Sequence, residues 1–152
     1  MMSIMKSYVC FSVECLQDAG YKITESRQTI LEFLSKSQKA LSPYEIQDLL
    51  KRRGIKADVV TIYRVLELFE KLNLVHKILA VNGYVRCHTE QIKKPQACHH
   101  YLVCKNCQSV EEVEGENLAP LEKKIVKNYC FDIASHYLEF TGLCAKCRKS
   151  KK

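Results

Sequence analysis

Residues 74–88 read Leu74-Val75-His76-Lys77-Ile78-Leu79-Ala80-Val81-Asn82-Gly83-Tyr84-Val85-Arg86-Cys87-His88. Val75 to Val81 and Tyr84 to His88 are β-rich, and the Asn82-Gly83 step between them is the strongest short hairpin signal a sequence can carry. Upstream the period is helical. Val9, Val13 and Leu16 recur at helix spacing, with Gly20 as a stop. Thr24 is placed to cap a helix carrying Ile30, Leu31 and Leu34. Ser42-Pro43-Tyr44-Glu45 forms a capping box, in which the Ser hydroxyl takes the free N3 amide and the Glu reaches back to the cap. Pro43 falls at N1, where its missing donor does no harm. Ile46, Leu49 and Leu50 then face a core until Gly54. Asp58 caps a fourth helix with Val59, Ile62, Leu66 and Phe69 on one stripe.

Helices followed by a two-stranded hairpin are the layout of a winged helix-turn-helix, assigned to residues 1–88. Residues 89–98, polar and carrying Lys93, Lys94 and Pro95, read as a linker. Residues 99–152 form a second α+β unit. Strands are expected over His100 to Cys104, Ser109 to Glu114 and Ser135 to Thr141, with a helix marked by Leu118, Leu121, Ile125 and Tyr129. From Arg148 the basic tail reads as frayed. The second unit lies below the size at which a hydrophobic core alone suffices, so it needs a staple, a partner chain, or both.

Composition narrows the function classes. With 47% hydrophobic and 27% charged residues the chain is neither collagen, a disordered tail nor a coiled-coil rod. Its apolar runs fall far short of the ~20 residues that span a bilayer. No secretory leader is legible, so a cytoplasmic location is expected. Net charge is +7, from 24 Lys+Arg and 17 Asp+Glu, and the excess is spread over both halves. Such a charge permits a polyanionic partner without proving one.

Nine cysteines are the outlier. In a reducing compartment, cysteines at regular spacing bind metal more often than they pair. Cys104-Lys105-Asn106-Cys107 and Cys144-Ala145-Lys146-Cys147 are two Cys-x-x-Cys knuckles with 36 residues between them. Four thiolates close a tetrahedral zinc sphere and leave no open position, which defines a structural site. Cys10, Cys15 and Cys130 lack such spacing and are expected to pack as small hydrophobes. His76, Cys87, Cys98, His99, His100, Glu111, Glu112 and His136 form a further set of ligand-type residues around the junction of the two units. A metal held there would lock their relative orientation, as a switch requires.

Thr61-Ile62-Tyr63-Arg64-Val65-Leu66, Val75-His76-Lys77, His99-His100-Tyr101-Leu102-Val103-Cys104-Lys105-Asn106-Cys107 and Gly142-Leu143-Cys144-Ala145-Lys146-Cys147 resemble the ferric uptake regulator family in order and spacing. The resemblance runs from about Leu16 to Cys147 and is greatest to the zinc uptake regulator branch. It implies a dimeric, metal-dependent transcriptional repressor, with an N-terminal winged helix and a C-terminal α/β dimerisation domain. It implies structural zinc on Cys104, Cys107, Cys144 and Cys147, and regulatory zinc on His76, Cys87, His99 and Glu112. His100 or Cys98 are alternatives for the third regulatory ligand. An additional metal site is implied at His100 and His136, with Glu116 or Glu122 as the acid, since Ala119 stands where the acid is often found. The chain has no His before His76, which counts against iron and peroxide sensing.

In this reading the fourth helix enters the major groove of double-stranded DNA. Arg64 can donate two bonds to guanine O6 and N7, Tyr63 can meet thymine methyls or phosphate, and Thr61 and Lys71 face outward. Tyr44 resembles a further contact of the zinc branch. Lys22, Arg27, Lys51, Arg52 and Lys77 are candidates for phosphate contacts, which position without specifying. The expected function is repression of zinc uptake genes by a metal-loaded homodimer on a palindromic operator, with one or two dimers per operator and no membrane partner. An iron-responsive repressor is the alternative. A thiol-redox enzyme would want a Cys-x-x-Cys pair at a helix start in a βαβ pattern, which is lacking. A zinc-stapled adaptor without DNA would leave Thr61 to Leu66 unexplained.

Overall fold

The computed structural model describes residues 2–87, 99–114 and 117–150. The expected linker, Cys98 and Glu116 lie outside the described residues, as does the side chain of His99. The chain divides into two compact units, Met1–Pro95 and Gln96–Lys152.

The first unit contains α1 (Met2–Asp18), α2 (Glu25–Lys36), α3 (Pro43–Arg52), α4 (Val59–Lys71), β1 (Val75–Ile78) and β2 (Gly83–Arg86). The expected caps form. The Arg27 amide donates to Thr24 Oγ1 at 3.3 Å and the Thr61 amide to Asp58 Oδ1 at 2.6 Å. Both halves of the capping box close, with the Glu45 amide on Ser42 Oγ at 3.2 Å and the Ser42 amide on Glu45 Oε2 at 2.7 Å. Three helices end alike. Gly20, Gly54 and Asn73 take positive φ, and the next amide reaches back to Leu16, Leu50 and Phe69 respectively. These are Schellman ends, which satisfy carbonyls the helix leaves open.

The apolar stripes of these helices meet in one core, where Ile30, Leu31, Leu34, Ile46, Leu50, Ile62, Leu66 and Phe69 are buried. Each such side chain contributes roughly 1.5–3 kcal/mol of transfer free energy. In α1 the buried face is Tyr8, Ser12 and Leu16, with Val9 and Val13 at its border.

The hairpin forms antiparallel with Ile78 opposite Gly83, but it is shorter than expected. A 3-10 turn over Leu79–Val81 replaces the end of the first strand, and Asn82 is left-handed at φ 46°. Gly83 belongs to β2 because the strand passes close to the α2–α3 connection. A Cβ on Gly83 would lie 2.9 Å from the Ala40 Cβ. Leu41 and Tyr84 there exchange backbone hydrogen bonds, both at 2.9 Å.

The second unit contains β3 (His99–Cys104), β4 (Val110–Glu114), α5 (Ala119–Tyr129), β5 (Leu138–Gly142) and α6 (Ala145–Lys149). Its sheet has the order β4-β3-β5, with β3–β4 antiparallel and β3–β5 parallel, so α5 is the crossover. The basic segment expected to fray continues α6 through Lys149. Tyr101 and Val103 are buried, whereas Leu121, Val126, Tyr129, Phe131, Tyr137 and Phe140 are exposed. Cys10 and Cys130 are exposed as well, contrary to their expected packing, and only Cys15 is partly covered. Cys130 caps α5 from a left-handed conformation, outside any apolar layer. Among the described residues no helix is long and apolar enough to cross a membrane.

Candidate metal centres and nucleic-acid interface

Strand pairing gathers the two knuckles. Parallel pairing sets Cys104, the last residue of β3, beside Gly142 at the end of β5. The first knuckle turns back there, tied by the Lys105 amide to the Gly142 carbonyl at 2.8 Å and the Gln108 amide to the Cys104 carbonyl at 2.9 Å. The second begins two residues past Gly142, where Cys144 caps α6. The four sulfurs all lie within 4.8 Å of one another. Cys107 Sγ and Cys144 Sγ are 3.7 Å apart. A tetrahedron with zinc–sulfur bonds of about 2.3 Å has edges of about 3.8 Å, so the donor set and its spacing fit structural zinc.

Hydrogen-bonding groups surround the sulfurs. The Cys144 amide approaches Cys104 Sγ at 3.3 Å, Asn106 Nδ2 approaches Cys147 Sγ at 3.2 Å, and Ser109 Oγ lies 3.1 Å from Cys107 Sγ. The Cys107 and Cys144 amides pull the Cys104 thiol down to about 6. The Ser109 hydroxyl and amide lower Cys107. Asn106 also pulls on Cys147, but the neighbouring sulfurs and burial outweigh it and leave that thiol raised to about 11. The cluster thus sets a readily ionised Cys104 beside a reluctant Cys147, and a cation entering it must displace protons. Asn106 and Ser109 were not singled out by spacing. Their signal is position, one inside a knuckle and one two residues after it.

The remaining ligand candidates fall into two groups, one on each unit. In the hairpin His76 pairs with Val85, and the Cys87 amide donates to the Leu74 carbonyl at 2.9 Å. Alternation then puts His76 and Cys87 on one face, a diagonal step apart. His76 is half-buried and Cys87 fully buried. In the second unit the register sets His99 opposite Glu114 and Tyr101 opposite Glu112, one diagonal step between the His99 and Glu112 backbones.

His100 belongs to the other side of β3. It is buried, its ring centroid 6.3 Å from that of His136, and its Nε2 has no hydrogen-bond partner among the described residues. His136 Nδ1 and Glu122 Oε1 are 2.6 Å apart. Glu122 thus lies beside His136, while Glu116 falls outside the described residues. Ala119 starts α5 one turn earlier. Glu111 is exposed on β4.

On α4, Thr61 and Arg64 are exposed and Tyr63 half-buried, while Tyr44 at the start of α3 is 61% exposed. Arg64 makes no ion pair with another described residue. Lys51, Arg52, Lys71 and Lys22 are exposed, and Lys77 half-buried. Arg27 is engaged locally, with its guanidinium donating to the Lys22 carbonyl and stacked 5.9 Å from the Tyr21 ring. Val60, outside the expected set, is 56% exposed beside Thr61. Its signal was its place off the apolar stripe, and an exposed apolar side chain there suits a thymine methyl.

The ferric uptake regulator family profile matches residues 18–141. The chain is 33% identical over 135 residues to the ferric uptake regulation protein of Bacillus subtilis (strain 168), covering 87% of this chain and 89% of that protein. It is 29% identical over 126 residues to the zinc uptake regulation protein of Escherichia coli (strain K12), covering 83% and 72%. A solved zinc uptake regulator complexed with zinc and DNA shares the fold, with a TM-score of 0.86, 24% identity and 97% of each chain covered. The chain belongs to the ferric uptake regulator family. Members of this family are DNA-binding regulators of transcription, not enzymes, and the thiol-redox alternative falls with that membership.

Proposed function

We propose that this protein is a zinc-responsive repressor of zinc uptake genes that binds palindromic operators in the cytoplasm as a metal-loaded dimer. Residues 1–88 would bind DNA, 89–98 act as hinge, and 99–152 hold the dimer. The exposed apolar residues of α5 and β5 supply a surface for the second copy. One or two dimers per operator are both compatible with this assignment.

The carrying observation is the hairpin register, which sets His76 and Cys87 on one face a diagonal step apart. A thiolate in a mixed site favours zinc over metals served by nitrogen and oxygen alone. His76 and Cys87 would hold the wing to the ion, and His99 and Glu112 the dimerisation unit. The alternation of β3 supports His99 as the third ligand, because His100 belongs to the opposite side, its ring centroid 6.3 Å from that of His136. His100, His136 and Glu122 would form the additional site, a nitrogen and oxygen set. The bound ion supplies charge and fixed bond directions. These four side chains convert that into one orientation of α4 relative to the dimer. Raising the DNA-competent form from about 1% to about 99% requires about 10⁴-fold preferential ion binding to it. Operator DNA must then tighten ion binding by the same factor. Tyr44, Thr61, Tyr63 and Arg64 would read bases.

The likeness to the Bacillus subtilis protein keeps iron as the second reading. Operator affinity against buffered free zinc and against ferrous iron separates the two. Zinc activation that Cys87→Ser abolishes, with the structural zinc retained, is the expected result. Ferrous activation at lower free concentration than zinc, or normal zinc activation of Cys87→Ser, would overturn the zinc reading.

A further inference from the structure

Cys87 lies one residue past β2, and its place is set from outside the hairpin. The β1–β2 ladder ends with Val75 opposite Arg86. The next rung is a single bond, from the Cys87 amide to the Leu74 carbonyl at 2.9 Å. That carbonyl accepts a second bond from the Tyr8 hydroxyl, also at 2.9 Å and buried. Tyr8 comes from α1, 66 residues upstream, and is fully buried. The Arg86 guanidinium sits 5.8 Å from the Tyr8 ring centroid, and both Arg86 and the Cys87 sulfur act electrostatically on the phenol.

The last rung of a ladder frays most readily, because it has support on one side only. Here the missing support comes from the phenol. Its hydroxyl takes the second lone pair of the carbonyl that anchors Cys87, and its ring lies against the adjoining Arg86. Tyr8 also belongs to the core built by α2, α3 and α4. Through it, the position of the thiol is referenced to the body of the DNA-binding unit rather than to the hairpin alone.

We infer that Tyr8 is a positioning residue for the regulatory zinc: through the Leu74 carbonyl it holds Cys87 in the place where its sulfur ligates. The inference rests on the assignment of Cys87 as a regulatory ligand. Residues that orient metal ligands typically change affinity 10- to 100-fold when removed. Tyr8 acts through backbone rather than on the sulfur, which places its effect at the low end of that range.

The test uses the full-length protein with its structural zinc loaded. Four forms are compared: parent, Tyr8→Phe, Cys87→Ser and the double variant. Regulatory zinc affinity is measured by competition with a chelating indicator at buffered free zinc, with metal content per chain. The melting temperature before regulatory zinc is added and operator affinity at saturating zinc are measured alongside. Tyr8→Phe keeps the ring and its packing and removes the hydroxyl alone. Roughly tenfold weaker regulatory zinc binding is expected, with a melting temperature lowered only by the few degrees that one buried hydrogen bond is worth and saturated operator affinity within error of the parent. In the Cys87→Ser background, Tyr8→Phe should cause no further loss.

Parent-like zinc affinity in Tyr8→Phe, while Cys87→Ser loses the site, overturns the positioning role and leaves the ligand assignment standing. Parent-like affinity in Cys87→Ser overturns the ligand assignment itself. A Tyr8→Phe protein whose saturated operator affinity falls along with zinc affinity, and whose melting temperature falls further than one hydrogen bond explains, has only a structural tyrosine there. A full additional loss in the Cys87→Ser background also overturns the coupling.

Discussion

The two units are held together by different forces. In the first, four helices and a hairpin enclose side chains that are fully buried, from Tyr8 and Leu16 to Phe69 and Leu74. In the second, α5 has no buried residue, and Tyr129, Tyr137 and Phe131 are 76%, 63% and 60% exposed. At the end of its sheet four sulfurs meet. A unit of this size buries little by itself, so in the proposed assignment coordination and a second copy take over the role of the core. Metal loss should therefore strike one unit and spare the other.

The largest effect tests that contrast directly. Cys144→Ser, or zinc removal by a strong chelator, should abolish the structural site, whose apparent binding free energy is of order 10–16 kcal/mol. Hydrogen exchange should then rise throughout residues 99–150 while the α2 and α4 amides stay protected. Equal exposure in both units would break the comparison. Acidification should act in the same direction. Cys104 sits at about 6 and Cys147 at about 11, so ligation at neutral pH expels protons, the Cys147 proton among them. Zinc affinity should fall as pH falls, most steeply once Cys104 also binds a proton below about 6. Zinc release followed at fixed total zinc from pH 8 to 5 checks the sign.

Next comes Phe69→Ala, which should destabilise the first unit by about 3–5 kcal/mol through lost burial and a cavity. Structural zinc content should not change. Loss of zinc in that variant would show that the second unit leans on the first. Denaturant melts with parallel metal analysis separate these outcomes.

A smaller effect belongs to the DNA-reading surface. Arg64→Ala should lose about 1–3 kcal/mol at one base position in each half-site. Lys51→Ala should weaken all sequences alike and reduce the salt slope by about one. Binding profiles over single-base operator variants at two salt concentrations distinguish a reader from a phosphate contact. An unchanged base preference in Arg64→Ala would remove α4 from the reading role.

Ser42→Ala should be the mildest, at about 0.5–2 kcal/mol, because one amide of the capping box goes unpaired. The loss should appear in the first unit's melt alone.

Local chemistry made much of this protein legible from its residues. Caps at Thr24, Ser42 and Asp58 and stops at Gly20 and Gly54 declare themselves because they satisfy backbone groups within a few residues. The knuckles are equally legible, since Cys-x-x-Cys spacing suits one edge of a tetrahedron before any fold is known. What only the tertiary structure decided depends on partners far along the chain. Gly83 sits in the strand where the chain passes so close to Ala40 that a Cβ would lie 2.9 Å from the Ala40 Cβ, and Leu41 bridges to Tyr84 beside it. The face of α1 that is buried runs through Tyr8 rather than Val9, because a phenol there can satisfy the Leu74 carbonyl while filling the core. His100 turned away from Glu112 and toward His136 because neighbours on a strand point to opposite faces. Sequence specifies groups that must be satisfied nearby; which distant group satisfies the rest follows from packing, where burial leaves each polar atom few partners to choose from.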